Sequence, residues 1–440
     1  MKRLLSALFV LIIVIASVTS VSALDYGCTV EPVSTSVYVE ELNTGTVVYE
    51  LNADERIFPA STTKIMTYII VAENVPDLDG TKIEVTTDAL ADMDPESSVM
   101  GLTAHIGESF SVRDLLYGLM LPSGNDAALV LADYVGHGVS GFVDLMNRKA
   151  AQLGCKETQF RTPHGLHDSQ HYTTLHDMAI ITKYAMKKKD FMEICNTTSY
   201  TPAGFSEPIK TTNYLIDDTQ EGGQYYYPYA KGIKTGYTDE AGKCLVSTAE
   251  YDGCNYLCLA FGSPYSFIEN VNYAMLDTSK LYKWAFENLA IQSVSAEDVV
   301  GYTPVSIPVE YVWGNKKVEL VPSAAFGALL PNNYDRTLIS INNTDVKDTA
   351  EAPVKKGDVY GKVTISYDGV VLGTADLVAS EDIDRQFTNY ILHVAIRFIK
   401  AHVVIFIIAI VVLIVLILVL IDRRRRRKAL LARRNNDAGY

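Results

Sequence analysis

Ser61 and Lys64 stand three residues apart in "FPASTTKIMT" (Phe58 to Thr67), directly ahead of an apolar run. A serine hydroxyl becomes a useful nucleophile when a neighbour accepts its proton, and positions i and i+3 share one face of a helix. Ser61 could therefore attack a carbonyl with Lys64 as its base. The same ten residues also read as a capped helix start, with a hydroxyl residue at the N-cap and Pro59 just ahead. A Ser-x-x-Lys spacing arises about once by chance in a chain this long, so the pair decides nothing alone.

Two further pieces change the weight. "PSGNDAA" places Ser123 and Asn125 at a Pro-Ser-Gly break between helical stretches, where side chains can project into a cleft. "GIKTGYT" places Lys234, Thr235 and Gly236 in a strand-like run. A glycine inside a strand marks either an ordinary bulge or a close approach of another backbone or a ligand. Ser-x-x-Lys, Ser-x-Asn and Lys-Thr-Gly follow one another in the order found in serine enzymes that react with penicillin. For Lys64 to act as a base it must be neutral, and burial together with a second cation such as Lys234 would lower its pKa.

The elements that must position these residues are legible as patterns. "SVYVEELNTGTVVYELN" (Ser36 to Asn52) is two β-rich runs around Asn43-Thr44-Gly45, a hairpin signature. Helical spacing of Ile65, Met66, Ile69 and Ile70 predicts a helix after Thr63. Val112 to Val135 reads as two helices broken at Pro122-Ser123-Gly124, and Asp177 to Lys187 as another. Lys231 to Gly262 reads as successive strands with a turn at Asp252-Gly253, followed by a helix over Phe267 to Leu289. Strands before and after a helical middle predict an α/β (α+β) unit, an antiparallel sheet covered by helices. From about Ser293 to Ala379, short β-rich runs alternate with Gly, Pro and Asn turns, which predicts a second, all-β domain.

Both ends of the 440-residue chain are specialised. Residues 1–23 carry Lys2 and Arg3, an apolar run and small residues ending at Ala23, the layout of a secretory signal peptide. Val403 to Ile421 contains no polar residue; at about 1.5 Å per residue it reaches about 28 Å, enough to cross a bilayer. "DRRRRRK" follows, and an arginine cluster at a span's end marks the cytoplasmic side. Arg385 to Ala401 reads as an interfacial approach to the membrane. The formal net charge is −14, and without the basic ends the body carries about −22, which argues against nucleic acid as a partner. Six cysteines leave fifteen fully paired connectivities open. Histidines 164, 167, 171 and 176 raise a metal reading, but no His-Glu-x-x-His is present and the spacings fit no usual zinc pattern.

The motif set, with "TPHGLHDSQHYTTLHDMA" and "GIKTGYTDEAGKCLV", resembles the D-alanyl-D-alanine carboxypeptidases, low-molecular-weight penicillin-binding proteins of peptidase family S11. "APVKKGDVYGKVTISYDGVVL" (Ala352 to Leu372) is similar to that family's C-terminal β-domain. The resemblance implies a β-lactamase/transpeptidase-like catalytic domain with a helical subdomain over 24–290. A small all-β domain over 291–382, a juxtamembrane segment over 383–402, one span over 403–421 and a cytoplasmic tail over 422–440 would follow. It implies Ser61, Lys64 and Ser123 as catalytic, with Ser123 relaying a proton to the leaving amine. Asn125 would position the substrate amide, Lys234 and Thr235 the terminal carboxylate, and backbone N–H groups of Ser61 and of Tyr237, beside Gly236, the oxyanion. It implies no cofactor and no metal. The partners would be peptidoglycan stem peptides ending in D-Ala-D-Ala, β-lactams as covalent inhibitors, and the membrane, with the catalytic body extracytoplasmic. Two other readings share the motifs. A class A-like β-lactamase deacylates with a glutamate, which Arg161 to Thr174 lacks. Against a non-catalytic penicillin sensor or peptidoglycan-binding protein stand the intact Ser61, Lys64, Ser123 and Lys234, and a tail of about 19 residues is too short for a sensor's signalling domain.

Overall fold

The computed structural model describes residues 25–266, 271–295, 299, 302–323 and 326–436. The expected signal peptide lies outside the described residues. Contacts divide the chain into two units, one running to Ser293 and taking in Gly327–Asp335, the other Val294–Phe326 with the chain from Arg336.

In the first unit β1 (Ser36–Glu41) and β2 (Thr46–Leu51) form the expected hairpin, with Gly45 at φ +70° in its turn. After a single 3-10 turn, Ala60–Thr63, α1 (Lys64–Asn74) is buried along Lys64 to Val71. A small ladder pairs β3 (Lys82–Glu84) with β4 (Ser109–Ser111), from which Ser111 and Asp114 make a capping box for α2 (Val112–Met120). The Pro122-Ser123-Gly124 break separates it from α3 (Asn125–Gly136), and α4 (Val139–Leu153) follows. Thr174 caps α5 (Leu175–Ala185) through the Asp177 amide, and α6 (Phe191–Asn196) leads to the short pair β5 (Ser199–Tyr200) and β6 (Ile209–Lys210).

Three long strands then return to the sheet: β7 (Ala230–Thr238), β8 (Gly242–Tyr251) and β9 (Cys254–Ser263). Asp252 and Gly253 take φ of +47° and +79° in the tight turn between the last two, as expected of a two-residue Asp-Gly hairpin. The sheet order is β2-β1-β9-β8-β7, antiparallel throughout, so β7 is an edge. A short pair, β10 (Tyr265–Ser266) with β11 (Val271–Asn272), precedes α7 (Tyr273–Asn288). The first four residues of the helix expected from Phe267 lie outside the described residues.

Strand alternation explains the layering. Tyr38, Leu257, Leu259 and Phe261 face the helical side and pack with α1 residues such as Ile65, Tyr68 and Ile69. Val37, Val39, Tyr256 and Cys258 face the other side, against Leu281, Tyr282 and Trp284 of α7. With side chains from both faces withdrawn from water, the sheet is a stiff floor for the helices above it. All six cysteines are free thiols.

The chain leaves this unit after β12 (Leu289–Val294). The second unit begins with β13 (Val305–Glu310) and β14 (Lys317–Pro322), and β15 (Phe326–Pro331) returns to pair with β12. It continues with β16 (Ile339–Thr344), β17 (Ala350–Glu351), β18 (Val359–Tyr367) and β19 (Val370–Ala379), in a sheet ordered β16-β18-β19-β14-β13-β17. Among the described residues it is built of strands, with one 3-10 turn at Arg336–Leu338, until α8 (Phe387–Ala401), which His402 separates from α9 (Val403–Asn436). The helix carrying the apolar stretch thus runs on through the arginine cluster rather than stopping at Ile421.

Candidate active site

Ser61 sits in the 3-10 turn, not at a cap. The turn's N-cap residue is Pro59, and neither Pro59 nor Thr63 makes a side-chain capping bond. The capping reading fails because the Ser61 hydroxyl lies instead 3.0 Å from Lys64 Nζ. Ala60, one residue ahead, is held at φ +46°, an uncommon conformation for a residue with a side chain. The turn is pinned from two sides. Thr62 Oγ donates to the Pro59 carbonyl at 2.6 Å, and Thr63 Oγ lies 2.9 Å from His171 Nε2. Since the Arg161 N–H donates to His171 Nδ1, the ring proton sits on Nε2 and points to Thr63.

Lys64 is fully buried and its Nζ has three close oxygens. They are Ser61 Oγ at 3.0 Å, Asn125 Oδ1 at 2.6 Å and the His164 carbonyl at 2.8 Å. Burial, and then the charge of Lys234, hold its pKa well below the usual lysine value, with Asp126 opposing. Burial likewise draws Lys234 down to about 7, opposed by the neighbouring Cys195 thiol.

The segment bearing the histidines covers this lysine. Thr67 Oγ donates to the Pro163 carbonyl at 2.5 Å, and Gly165, at φ +88°, presses on the Ala60 carbonyl. A Cβ there would lie 1.9 Å from that oxygen, so only glycine fits. Burial pushes His164 down to about 3 and His171 to about 4, so both are neutral wedges. His176 pairs with Asp54 at 2.7 Å, and His167 packs edge-on against Phe58.

Gly236 is no ordinary bulge. A Cβ on it would lie 3.1 Å from both the Ser61 nitrogen and the Ala60 Cβ, so edge strand β7 runs against the serine turn. Between them opens a cleft of about 270 Å³ lined by Ser61, Ser123, Thr235, Gly236 and Tyr237, with Ser98, Thr212 and Lys243 among the others. Ser123 is held at φ +62°, and its buried hydroxyl has no hydrogen-bond partner among the described residues. Such a hydroxyl is costly to leave unpaired and is free to receive a substrate group. Thr235 Oγ lies 2.5 Å from Thr212 Oγ.

Two expected substrate contacts sit differently. Asn125 is engaged by Lys64 rather than lining the cleft, because a buried amine needs acceptors. Lys234 is fully buried and donates to the Thr235 carbonyl at 3.1 Å, and it too is absent from the residues lining the cleft. Asp126 was not singled out from the sequence. Its buried carboxylate accepts from the amides of Met100, Gly101, Leu102 and Ala127, which fixes the loop that carries Ser98. An acid in the first turn of α3 was the available signal. Thr212 had none.

A serine, a buried amine and an unpaired hydroxyl around a cleft at a sheet edge are the groups that nucleophilic acyl transfer calls for. The sequence matches peptidase S11 (D-alanyl-D-alanine carboxypeptidase) over residues 28–264 and the penicillin-binding protein 5 C-terminal domain over 292–385. It is 30% identical over 394 residues to D-alanyl-D-alanine carboxypeptidase DacF of Bacillus subtilis, covering 88% of this chain and 95% of the relative. Against DacA of Haemophilus influenzae it is 31% identical over 401 residues, covering 87% and 94%. The crystal structure of penicillin binding protein 5 from Haemophilus influenzae matches with a TM-score of 0.62 at 27% identity, covering 81% of this chain and 99% of that one. The chain belongs to the S11 family of D-alanyl-D-alanine carboxypeptidases. Its function is that of a penicillin-binding D,D-carboxypeptidase, not of a class A β-lactamase or a non-catalytic sensor.

Proposed function

We propose that the enzyme releases the terminal D-alanine of peptidoglycan stem pentapeptides through an acyl-enzyme on Ser61. The observation that carries this mechanism is the set of neighbours around Lys64. A neutral amine has two N–H bonds and one lone pair. Asn125 Oδ1 and the His164 carbonyl can only accept, so they take the two N–H bonds. The lone pair is left for the Ser61 hydroxyl at 3.0 Å, which donates to it.

Lys64 then removes the Ser61 proton as Oγ attacks the carbonyl between the two D-alanines. Backbone N–H groups of Ser61 and Tyr237 stabilise the oxyanion, since the edge strand and the serine turn meet at Gly236. Collapse breaks the C–N bond, and the leaving amine takes its proton through Ser123. Water, activated by Lys64, hydrolyses the ester and restores Ser61. β-Lactams acylate the same oxygen. Asn125 orients Lys64 and moves to the substrate amide on binding, while Lys234 disfavours a second charge on Lys64.

The apolar helix fits a membrane anchor. We place 24–290 as the catalytic part, 291–382 as the β-domain and 383–402 as the juxtamembrane segment. The span is then 403–421, with the 422–440 tail on the cytoplasmic side by its arginines and the body outside. Intact-mass spectrometry of the full-length protein in detergent should show one penicilloyl adduct, lost in Ser61→Ala. It should also show D-alanine release from diacetyl-Lys-D-Ala-D-Ala by the wild type only. An undiminished adduct in the variant rejects Ser61.

A further inference from the structure

Among the described residues lining the Ser61 cleft, Lys243 is the one that bears a charge. It lies near the start of β8, paired across the ladder from Tyr237. Its Nζ is 4.3 Å from the centre of the Tyr237 ring and 4.2 Å from that of Tyr265, and the two ring centres are 5.4 Å apart. An ammonium held against two aromatic rings gives up much of the rotamer freedom of a surface lysine before any ligand arrives. No carboxylate pairs with it among the described residues, and half-burial lowers its pKa, with Cys244 opposing. The result is a pre-positioned cation without a counterion on the wall of an acyl-transfer cleft.

Lys234 does not meet the same need. It is fully buried, donates one of its N–H groups to the Thr235 carbonyl, and is drawn down to about 7. The Thr212 and Thr235 hydroxyls, 2.5 Å apart on the cleft wall, supply hydrogen bonds but no charge. A free C-terminal carboxylate is what separates the end of a peptide from an internal residue. An enzyme that removes only the last residue needs a cation able to meet it.

We infer that Lys243 is the specificity-determining cation that pairs with the substrate's terminal carboxylate. Tyr237 and Tyr265 clamp it, and the Thr212 and Thr235 hydroxyls flank the anion. This rests on the D,D-carboxypeptidase reading and deepens it. It moves the charge expected on the fully buried Lys234 to Lys243 on the cleft wall. A peptide that continues past the second D-alanine, or ends in an amide, leaves the half-desolvated Lys243 uncompensated and is selected against.

The test compares diacetyl-Lys-D-Ala-D-Ala with the same peptide ending in a carboxamide, using the full-length enzyme in detergent. Wild type should prefer the acid. Lys243→Met should lose about 10- to 100-fold in kcat/KM on the acid, mostly through KM, with less than about threefold change on the amide. Lys243→Arg should keep most of the preference. Should the methionine variant not fold, Lys243→Gln is read the same way. An unchanged acid-to-amide ratio, or equal loss on both peptides, overturns the role of Lys243 and leaves the carboxypeptidase reading standing. A wild type that releases no D-alanine from the acid overturns that reading, and the inference with it.

Discussion

Lys64 and Lys234 are both buried in one site, and the charge of Lys234 makes a charge on Lys64 harder to hold. For Lys64 burial is the larger effect and Lys234 the second, which together leave a lone pair available to Ser61. The same shifts have a sign in stability. Lys234 falls to about 7 when folded, whereas an unfolded lysine titrates near 10.4. Between those values the unfolded chain binds more protons, so the group contributes a stability that rises with pH and is least at and below about pH 7. Lys234→Met removes that slope, and relief of Lys64 from a neighbouring cation flattens it further. The Tm of the wild type minus that of the variant, by calorimetry on the full-length protein in detergent, should grow between pH 7 and 9. A constant difference would mean that Lys234 keeps its proton in the folded enzyme throughout that range.

At the scale of elements, the site is a seam between the turn before α1 and the edge strand β7, closed over Lys64 by the His164 to Thr173 segment. Gly236 sets the width of the seam. A methyl at that position meets Ala60 Cβ and the Ser61 nitrogen at 3.1 Å, and Pro59 and Ala60 leave the turn little freedom to yield. Gly236→Ala should therefore lower kcat/KM on the D-Ala-D-Ala peptide by about 10- to 100-fold through misplacement of Ser61. The fold should survive, because β7 keeps its ladder to β8. Activity within about threefold of wild type would show the turn to be compliant. The elements around this seam were legible in the sequence because each has a local signal: the Asn-Thr-Gly and Asp-Gly turns, the apolar spacing after Thr63, the Pro-Ser-Gly break. The motif residues were legible too, and all eight lie at or directly behind the seam. What each does was less so. The Asp126 hold on the Met100, Gly101 and Leu102 amides, the His164 carbonyl on Lys64 and the Thr212 hydroxyl at Thr235 join residues 23 to 100 positions apart. No spacing rule reaches across such intervals, and a backbone carbonyl has no residue type to announce it.

For the whole molecule the question is how a unit carrying a helix that fits a membrane anchor would meet a bilayer. Polar residues of α8 recur on one stripe, Asn389, His393, Arg397 and Lys400, and the first three of these turn toward the β-domain. Asn389 donates to the Val312 carbonyl, Tyr311 stacks edge-on with His393, and Arg397 lies 3.7 Å from Glu310 and 3.8 Å from Glu351. The apolar side, including Ile391, Leu392, Phe398 and Ile399, is exposed, and so is Trp313, whose amide donates to Gln386 just ahead of the helix. His402 interrupts the helix before the apolar stretch, its ring lying 2.9 Å from the Phe398 carbonyl. An amphipathic helix joined to a span through a break at His402 would lie in the membrane interface, where tryptophan is favoured. The β-domain clamped to α8 would then rest on the headgroups with Trp313 among them. The chain has two tryptophans, and the other, Trp284, is buried on the sheet-facing side of α7, so Trp284→Phe leaves Trp313 as the reporter. Reconstituted into vesicles, that variant should show Trp313 fluorescence quenched by lipids brominated near the glycerol end of the acyl chain. If α8 instead stands upright on the span, Trp313 is held roughly 20 Å above the junction, the length of the helix between them, and bromine leaves its emission unchanged.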